Sequence, residues 1–173
     1  MKLATETGPS QLAAALFLAL AMAAIVGTAL GFEHIGGFIP CKLCLEQRIP
    51  YYAGVPVALV ALAGAVLDWR PYIVRVLLLI VGLLMTYGLY LGIYHSGVEW
   101  HWWAGPADCS TSATSGILTD AGGLLGALDT MKPPSCDEAA GRFLGLSFAG
   151  WNVLASLGLA AVAYRAAFGP SKR

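Results

Sequence analysis

The chain has 173 residues, a mass of 18.1 kDa and a formal net charge of zero. Hydrophobic residues make up 58% of it and charged residues 12%, against about 45–50% and 25% in an average soluble domain. So few charges cannot cover a soluble surface, and 10 Lys and Arg against 10 Asp and Glu leave no basic field for phosphate. An ordinary soluble enzyme, a disordered chain and a nucleic-acid binder are excluded, and a mean hydropathy of +0.71 points to a polytopic membrane protein.

Four windows lack Asp, Glu, Lys and Arg: Thr7–Phe32, Ile49–Leu67, Val76–Val98 and Phe143–Tyr164. A spanning helix needs roughly 20 mainly apolar residues, and each window meets or nearly meets that length. The expected fold is an all-α membrane protein, a four-transmembrane-helix bundle forming one domain over 1–173. Its spans lie at approximately 11–31, 50–67, 73–94 and 144–164. The first window is too long for a signal-peptide core of about 7–15 residues, so it counts as a helix. Asp68-Trp69-Arg70-Pro71 is a tight turn that makes helices 2 and 3 a hairpin. Gly27/Gly31 and Gly88/Gly92 have the small-xxx-small spacing that permits close helix packing.

Orientation follows from Lys and Arg near the span ends. With the N-terminus inside, the short inner segments hold Lys2, Arg70, Arg75, Arg165, Lys172 and Arg173. The much longer outer loops hold Lys42, Arg48, Lys132 and Arg142, together with most of the acids. Both termini therefore read as cytoplasmic. Aromatic residues such as Phe32, Tyr51, Tyr94, Trp100, Trp102, Trp103 and Trp151 gather at span ends, as interfacial belts do.

All four cysteines, Cys41, Cys44, Cys109 and Cys136, fall in the two outer loops. Free cysteines kept for packing would lie mostly in the spans. On the oxidising side of a membrane an even count suggests two disulfides. Cys41-Lys42-Leu43-Cys44 is a C-x-x-C motif. Leu45 stands where c-type haem attachment needs His, and a thioredoxin motif needs a βαβ context that is absent. Zinc would need four convergent ligands, of which Cys109 and Cys136 could supply two, and no resident metal is expected.

Local chemistry favours a redox-active pair over a static one. Pro40 suits the opening of a short helix, which puts both sulfurs near a helix N-terminus where a thiolate is stabilised. Cys44 and Arg48 are i and i+4, so a guanidinium on the same face is expected to lower the Cys44 pKa. Pro50 is expected to interrupt or kink the chain before helix 2. Arg48 could equally be an interfacial anchor. Between Cys109 and Cys136 the residues Ile117, Ala121, Leu124, Leu128 and Met131 fall on one helical face, suggesting an interfacial helix. The mobility and exposure expected of that loop argue for an exchangeable disulfide. His34, His95 and His101 lie at the outer interface rather than deep in spans, which disfavours haem. His95 either donates to a polar ligand at the depth of Arg48 or is solvated by headgroups.

These residues resemble the DsbB family of bacterial inner-membrane disulfide-bond formation proteins. The resemblance rests on Pro40-Cys41-Lys42-Leu43-Cys44-Leu45-Glu46-Gln47-Arg48 after span 1, Tyr94-His95, and Gly105-Pro106 before Cys109. Phe143-Leu144-Gly145-Leu146-Ser147, leading through Trp151 into span 4, completes it. Some members carry Glu where this chain has Gln47. The resemblance implies a multi-pass inner-membrane enzyme with periplasmic cysteine loops. It would reoxidise a DsbA-like, thioredoxin-fold dithiol oxidase and pass two electrons to a membrane quinone, ubiquinone or menaquinone. The partner would attack a Cys109–Cys136 disulfide, and exchange would reduce Cys41–Cys44. Cys44 would face the quinone, Arg48 would stabilise the developing charge, and His95 would hold the other side of the ring.

Two rivals predict different things. A quinone reductase resembling vitamin K epoxide reductase would carry its C-x-x-C at the end of a later span. A non-enzymatic membrane scaffold would have disulfides that resist mild reductant.

Overall fold

The structure, a computed structural model, describes residues 9–106 and 136–169. Among these residues four helices are long and apolar enough to cross a membrane: α1 (Pro9–His34), α2 (Lys42–Val66), α3 (Pro71–Glu99) and α4 (Phe148–Phe168). The shortest has 21 residues, about 31 Å of helix, enough for a hydrocarbon core of about 30 Å. Together they form the four-helix membrane bundle that the sequence predicts.

The helices are apolar on every face because one side packs inward and the other meets lipid. Leu18, Met22, Tyr51, Ala58, Leu78, Val81, Met85 and Ala163 are buried at the centre. Leu20, Leu59, Leu83 and Leu157 of the same helices are exposed outside. Helix α3 packs against both α2 and α4, and α1 closes the bundle against α2 and, less extensively, α4.

Of the two small-xxx-small pairs, only Gly88/Gly92 serves packing. A Cβ on Gly88 would stand 3.1 Å from Ser156 Oγ, and one on Gly92 would stand 3.2 Å from the Val153 backbone nitrogen. These glycines let α4 lie directly on α3. Nothing approaches Gly27 or Gly31 within 4 Å of where a Cβ would be.

Helix α2 differs from expectation. It runs unbroken from Lys42, so the C-x-x-C is the first turn of the spanning helix rather than a separate short helix. Pro50 removes one backbone bond, a loss that spanning helices tolerate when neighbouring helices pack against the site. Pro50 is fully buried and faces Gly88. Helix α4 begins at Phe148, later than expected, because residues 142–147 form a two-stranded hairpin. Strands β1 (Arg142–Phe143) and β2 (Leu146–Ser147) pair antiparallel across Leu144 and Gly145, both at positive φ. Such a turn matches the natural twist of a two-residue hairpin. Ser147 then caps α4 by accepting from the Gly150 amide at 3.1 Å.

The α2–α3 connection is the tight turn expected. Asp68 takes a left-handed conformation, and the Trp69 amide returns to the Gly64 carbonyl at 2.9 Å. Helix α3 ends the same way, with His101 left-handed and the Trp102 amide bonded to the Gly97 carbonyl at 2.9 Å. The indole of Trp103 lies over Gly97 and donates to the Tyr94 carbonyl at 2.9 Å. That closure fixes the last turns of α3, which carry His95 and Glu99. The expected helix between Ile117 and Met131 lies outside the described residues.

Candidate thiol site and its cavity

Cys41 is the N-cap of α2, and its sulfur accepts from the Cys44 amide at 3.3 Å. Here the sequence expectation of sulfurs at a helix N-terminus is met. Cys41 and Cys44 are both reduced, with their sulfurs 3.0 Å apart. The two thiols share a hydrogen bond. His95 Nε2 stands 3.7 Å from the Cys41 sulfur on its other side. These contacts hold the Cys41 thiol far below the ordinary range, at about 4, with the Cys44 hydrogen bond the largest cause; burial opposes them and His95 assists. The thiol held low is therefore Cys41, whereas the i, i+4 argument expected the lowering at Cys44.

Arg48 explains part of that difference. Its Nη1 pairs with the Glu33 carboxylate at the end of α1. Sequence spacing identified the neighbour on the same helix and missed the carboxylate on the next one.

His95 is 2% exposed, so the reading in which headgroups solvate it does not hold. Its Nδ1 meets Gln47 Nε2 at 2.6 Å. Asn152 Nδ2 donates to Gln47 Oε1 at 2.6 Å, and Tyr51 donates to Asn152 Oδ1 at 2.6 Å. Ser156 lies 2.9 Å from the Tyr51 hydroxyl. Glu99 Oε1 approaches His95 Nε2 at 3.9 Å. Buried polar groups need partners, and this chain supplies them across three helices.

Gln47, Asn152, Tyr51, Ser156, Glu99 and Glu33 were not among the predicted site residues. A signal for most of them was present: Gln47/Tyr51, His95/Glu99 and Asn152/Ser156 are each an i, i+4 polar pair on or beside an apolar helix. Polar groups within spans are functional candidates by default.

Beside the thiols lies a cavity of about 420 Å³ between α1, α2 and α4, within the range of about 300–1,000 Å³ for small-molecule sites. Its walls are mostly apolar, with Ala24, Ile25, Phe32, Phe148 and Ala155 among them. Thr28, Glu33, Cys44, Gln47, Arg48, Tyr51, His95 and Asn152 contribute its polar groups. The structure thus brings together Cys44, Arg48 and His95 at one cavity and Cys41 behind them. Phe32, Phe38 and Phe148 pack edge-on and tilted against one another along its wall.

Cys136 is disulfide-bonded and 2% exposed, packed with Cys41, Leu43 and Val98. The exposure expected of this cysteine is not found. It packs next to the thiol pair. Cys109 lies outside the described residues. Cys41, Cys44 and His95 converge to within 4.8 Å, one ligand short of a closed structural zinc site.

The described residues thus form a membrane-spanning bundle in which a thiol pair opens on an apolar cavity. The sequence model of the family described as Disulfide bond formation protein DsbB matches residues 11–166. A relative named Disulfide bond formation protein B, from Polaromonas sp. (strain JS666 / ATCC BAA-500), is 30% identical over 147 residues, or 84% of this chain and 83% of that protein. No solved structure matches the chain. The chain belongs to the DsbB family of disulfide bond formation membrane proteins.

Proposed function

We propose that the protein is a thiol:quinone oxidoreductase of the bacterial inner membrane that reoxidises a periplasmic, DsbA-like dithiol oxidase. The observation that carries this reading is the position of Cys44, which lines a largely apolar cavity while Cys41, next to it, packs against Cys136. One end of the thiol pair faces an apolar cavity and the other faces Cys136.

The cavity fits a quinone. Apolar walls suit a ring and its isoprenoid tail, and Arg48, His95 and Asn152 supply polar side chains where ring oxygens would lie. Ubiquinone and menaquinone share those features. When bound, the quinone supplies a two-electron acceptor for the dithiol. Arg48 would orient a ring oxygen and offset negative charge on it, a role for which a planar guanidinium is suited. Cys44 would face the ring, and His95 would close the side towards Cys41.

On the other side, a partner thiolate would attack the disulfide that includes Cys136, with Cys109 as the other sulfur. The bond between those sulfurs breaks, a mixed disulfide forms, and the partner's second thiol releases it as the oxidised partner. The Cys136 thiolate would then attack an oxidised Cys41–Cys44 pair to form a Cys136–Cys41 mixed disulfide and free Cys44, and the Cys109 thiol would resolve it, re-forming the Cys109–Cys136 disulfide and leaving Cys41 and Cys44 as the dithiol. Packing of Cys136 against Cys41 supports that internal exchange.

The test is anaerobic mixing of the purified protein with a short-chain ubiquinone and a reduced thioredoxin-fold oxidase. One quinone should be reduced for each oxidase disulfide formed. A protein whose C-x-x-C dithiol forms but leaves quinone oxidised under these conditions would overturn the reading.

A further inference from the structure

The chain of bonds behind His95 has a direction. Tyr51 gives its hydroxyl hydrogen to Asn152 Oδ1 at 2.6 Å. Asn152 gives an amide hydrogen to Gln47 Oε1 at 2.6 Å and lies 3.4 Å from the Gly88 carbonyl, a second acceptor for Nδ2. Gln47 then has only its own amide hydrogens left to offer His95 Nδ1 at 2.6 Å. A side-chain amide has one acceptor end and one donor end, so committing the oxygen commits the nitrogen. An Nδ1 that accepts leaves the ring hydrogen on Nε2. The other face of the ring agrees independently. Nε2 looks at two acceptors, the Cys41 sulfur at 3.7 Å and Glu99 Oε1 at 3.9 Å, and no acceptor in that position calls for a bare nitrogen.

We propose that Gln47 and Asn152 are positioning residues of the thiol site, which hold His95 as the neutral Nε2–H tautomer with that hydrogen directed at the Cys41 sulfur. The arrangement follows the logic of a nucleophile, an imidazole and an orienting amide, seen on unrelated folds. It differs in having a second amide behind the first, contributed by another helix. Asn152 stands on α4 and Gln47 on α2, so the ring on α3 is set only when all three helices are in register. Gly92 makes this possible, since a Cβ there would stand 3.2 Å from Asn152 Nδ2. Gln47, Asn152 and His95 all line the cavity, which places the orienting amides beside the ring at its wall. The inference concerns the resting dithiol protein and needs neither quinone nor partner protein.

The test is nitrogen NMR of the reduced, full-length protein in detergent micelles, labelled with ¹⁵N in its imidazole rings. The chain has 3 histidines, so His95 is assigned by comparison with a variant carrying His34→Gln and His101→Gln. The expected result is a protonated Nε2 and an unprotonated Nδ1. A hydrogen on Nδ1, whether the ring is neutral or cationic, overturns the proposal on the wild-type protein alone. The second arm is Asn152→Asp, nearly isosteric but without an amide donor. Gln47 must then give its amide hydrogens to the new carboxylate and turn its oxygen to the ring, so the hydrogen should move to Nδ1. Alkylation of Cys41 by iodoacetamide at pH 6 should slow several-fold in the same variant. A merely space-filling Asn152 predicts no change of tautomer. An Asn152→Asp protein that folds and keeps His95 as the Nε2–H form overturns the role assigned to Asn152. Because quinone and partner are absent, either outcome is independent of whether the protein reduces quinone.

Discussion

Asn152 of α4 donates to Gln47 of α2 at 2.6 Å, and this bond ties the helix walling the cavity to the helix carrying both thiols. Neither residue is charged, and neither belongs to a cysteine motif. Yet Gln47 is the contact of His95 Nδ1, and His95 is the neighbour of the Cys41 sulfur. A hydrogen-bonded group in a low-dielectric interior is costly to leave unpaired, so changes in helix packing are felt at the sulfur.

The first prediction concerns pH. With a thiol at about 4, Cys41 should be a thiolate through the neutral range. An unfolded thiol titrates near 8.5. The folded pKa is the lower one, so the contribution to stability is complete above about 8.5 and is lost as pH falls through about 4. Thermal melts of the reduced protein and of Cys41→Ala should diverge as pH rises between those values and run parallel above them. Cys44→Ala removes the largest stabilising contact and should move the Cys41 alkylation profile towards that of a free thiol. An unmoved profile would transfer the effect to His95.

The second prediction concerns the glycines. Gly92→Ala sets a methyl group 3.0 Å from a Val153 side-chain carbon and 3.2 Å from its backbone nitrogen. Overpacking of this kind costs roughly 1–3 kcal/mol, and detergent melts should show it. Quinone turnover should fall as well, because the Asn152 amide is displaced. Gly27→Ala meets nothing within 4 Å and should be neutral to slightly stabilising. Equal effects at the two positions would show that the close α3–α4 approach is not what Gly92 permits.

The four spans were legible because an absence of charge over about 20 residues has few other causes. The cysteine positions were legible because spacing and loop placement are properties of the sequence itself. What spacing could not supply was contact between elements distant in the chain. Arg48 and Cys44 share a helix face, so the sequence suggested their interaction. Glu33 reaches Arg48 only because α1 and α2 pack side by side. Pro50 was expected to interrupt or kink the chain before helix 2, and the helix continues through it, because a local rule was applied without the neighbour that compensates for it. Asn152 and Ser156 gain their partners only where α4 lies against Gly88 and Gly92.

A third prediction addresses the far end of the chain of bonds. Tyr51 is 2% exposed, and its hydroxyl meets both Asn152 and Ser156. Tyr51→Phe keeps the ring and its packing and removes one donor from Asn152 Oδ1. Ser156 Oγ, at 3.4 Å, remains to donate there. The loss should be about 1 kcal/mol, the net value of a single hydrogen bond. Tyr51→Phe combined with Ser156→Ala strips Asn152 Oδ1 of both donors, and the melting temperature should fall by more than the sum of the single changes. Strict additivity would show that Asn152 is held by its other contacts alone.

The last prediction concerns Arg48, where two roles can be separated. As an anchor at the membrane interface, Arg48 needs only a positive charge. Lys would supply it and could keep an ion pair with Glu33. As a ligand for a quinone oxygen, Arg48 needs a planar fork that engages Glu33 and the ring together, and the compact ammonium of Lys lacks that geometry. Arg48 and Glu33 both line the cavity, so the pair is placed for either role. We expect Arg48→Lys to raise the apparent KM for quinone several-fold, and Arg48→Ala to raise it by about ten- to a hundred-fold, the range of one charge-assisted hydrogen bond. Expression and membrane insertion should be unchanged, which separates this effect from misfolding. Glu33→Gln provides the control: it removes the carboxylate and leaves the guanidinium, so its KM should stay closer to wild type than that of Arg48→Ala. If Arg48→Lys keeps the wild-type KM while Arg48→Ala lowers insertion, Arg48 serves as the anchor and the quinone oxygen is held by other residues of the cavity.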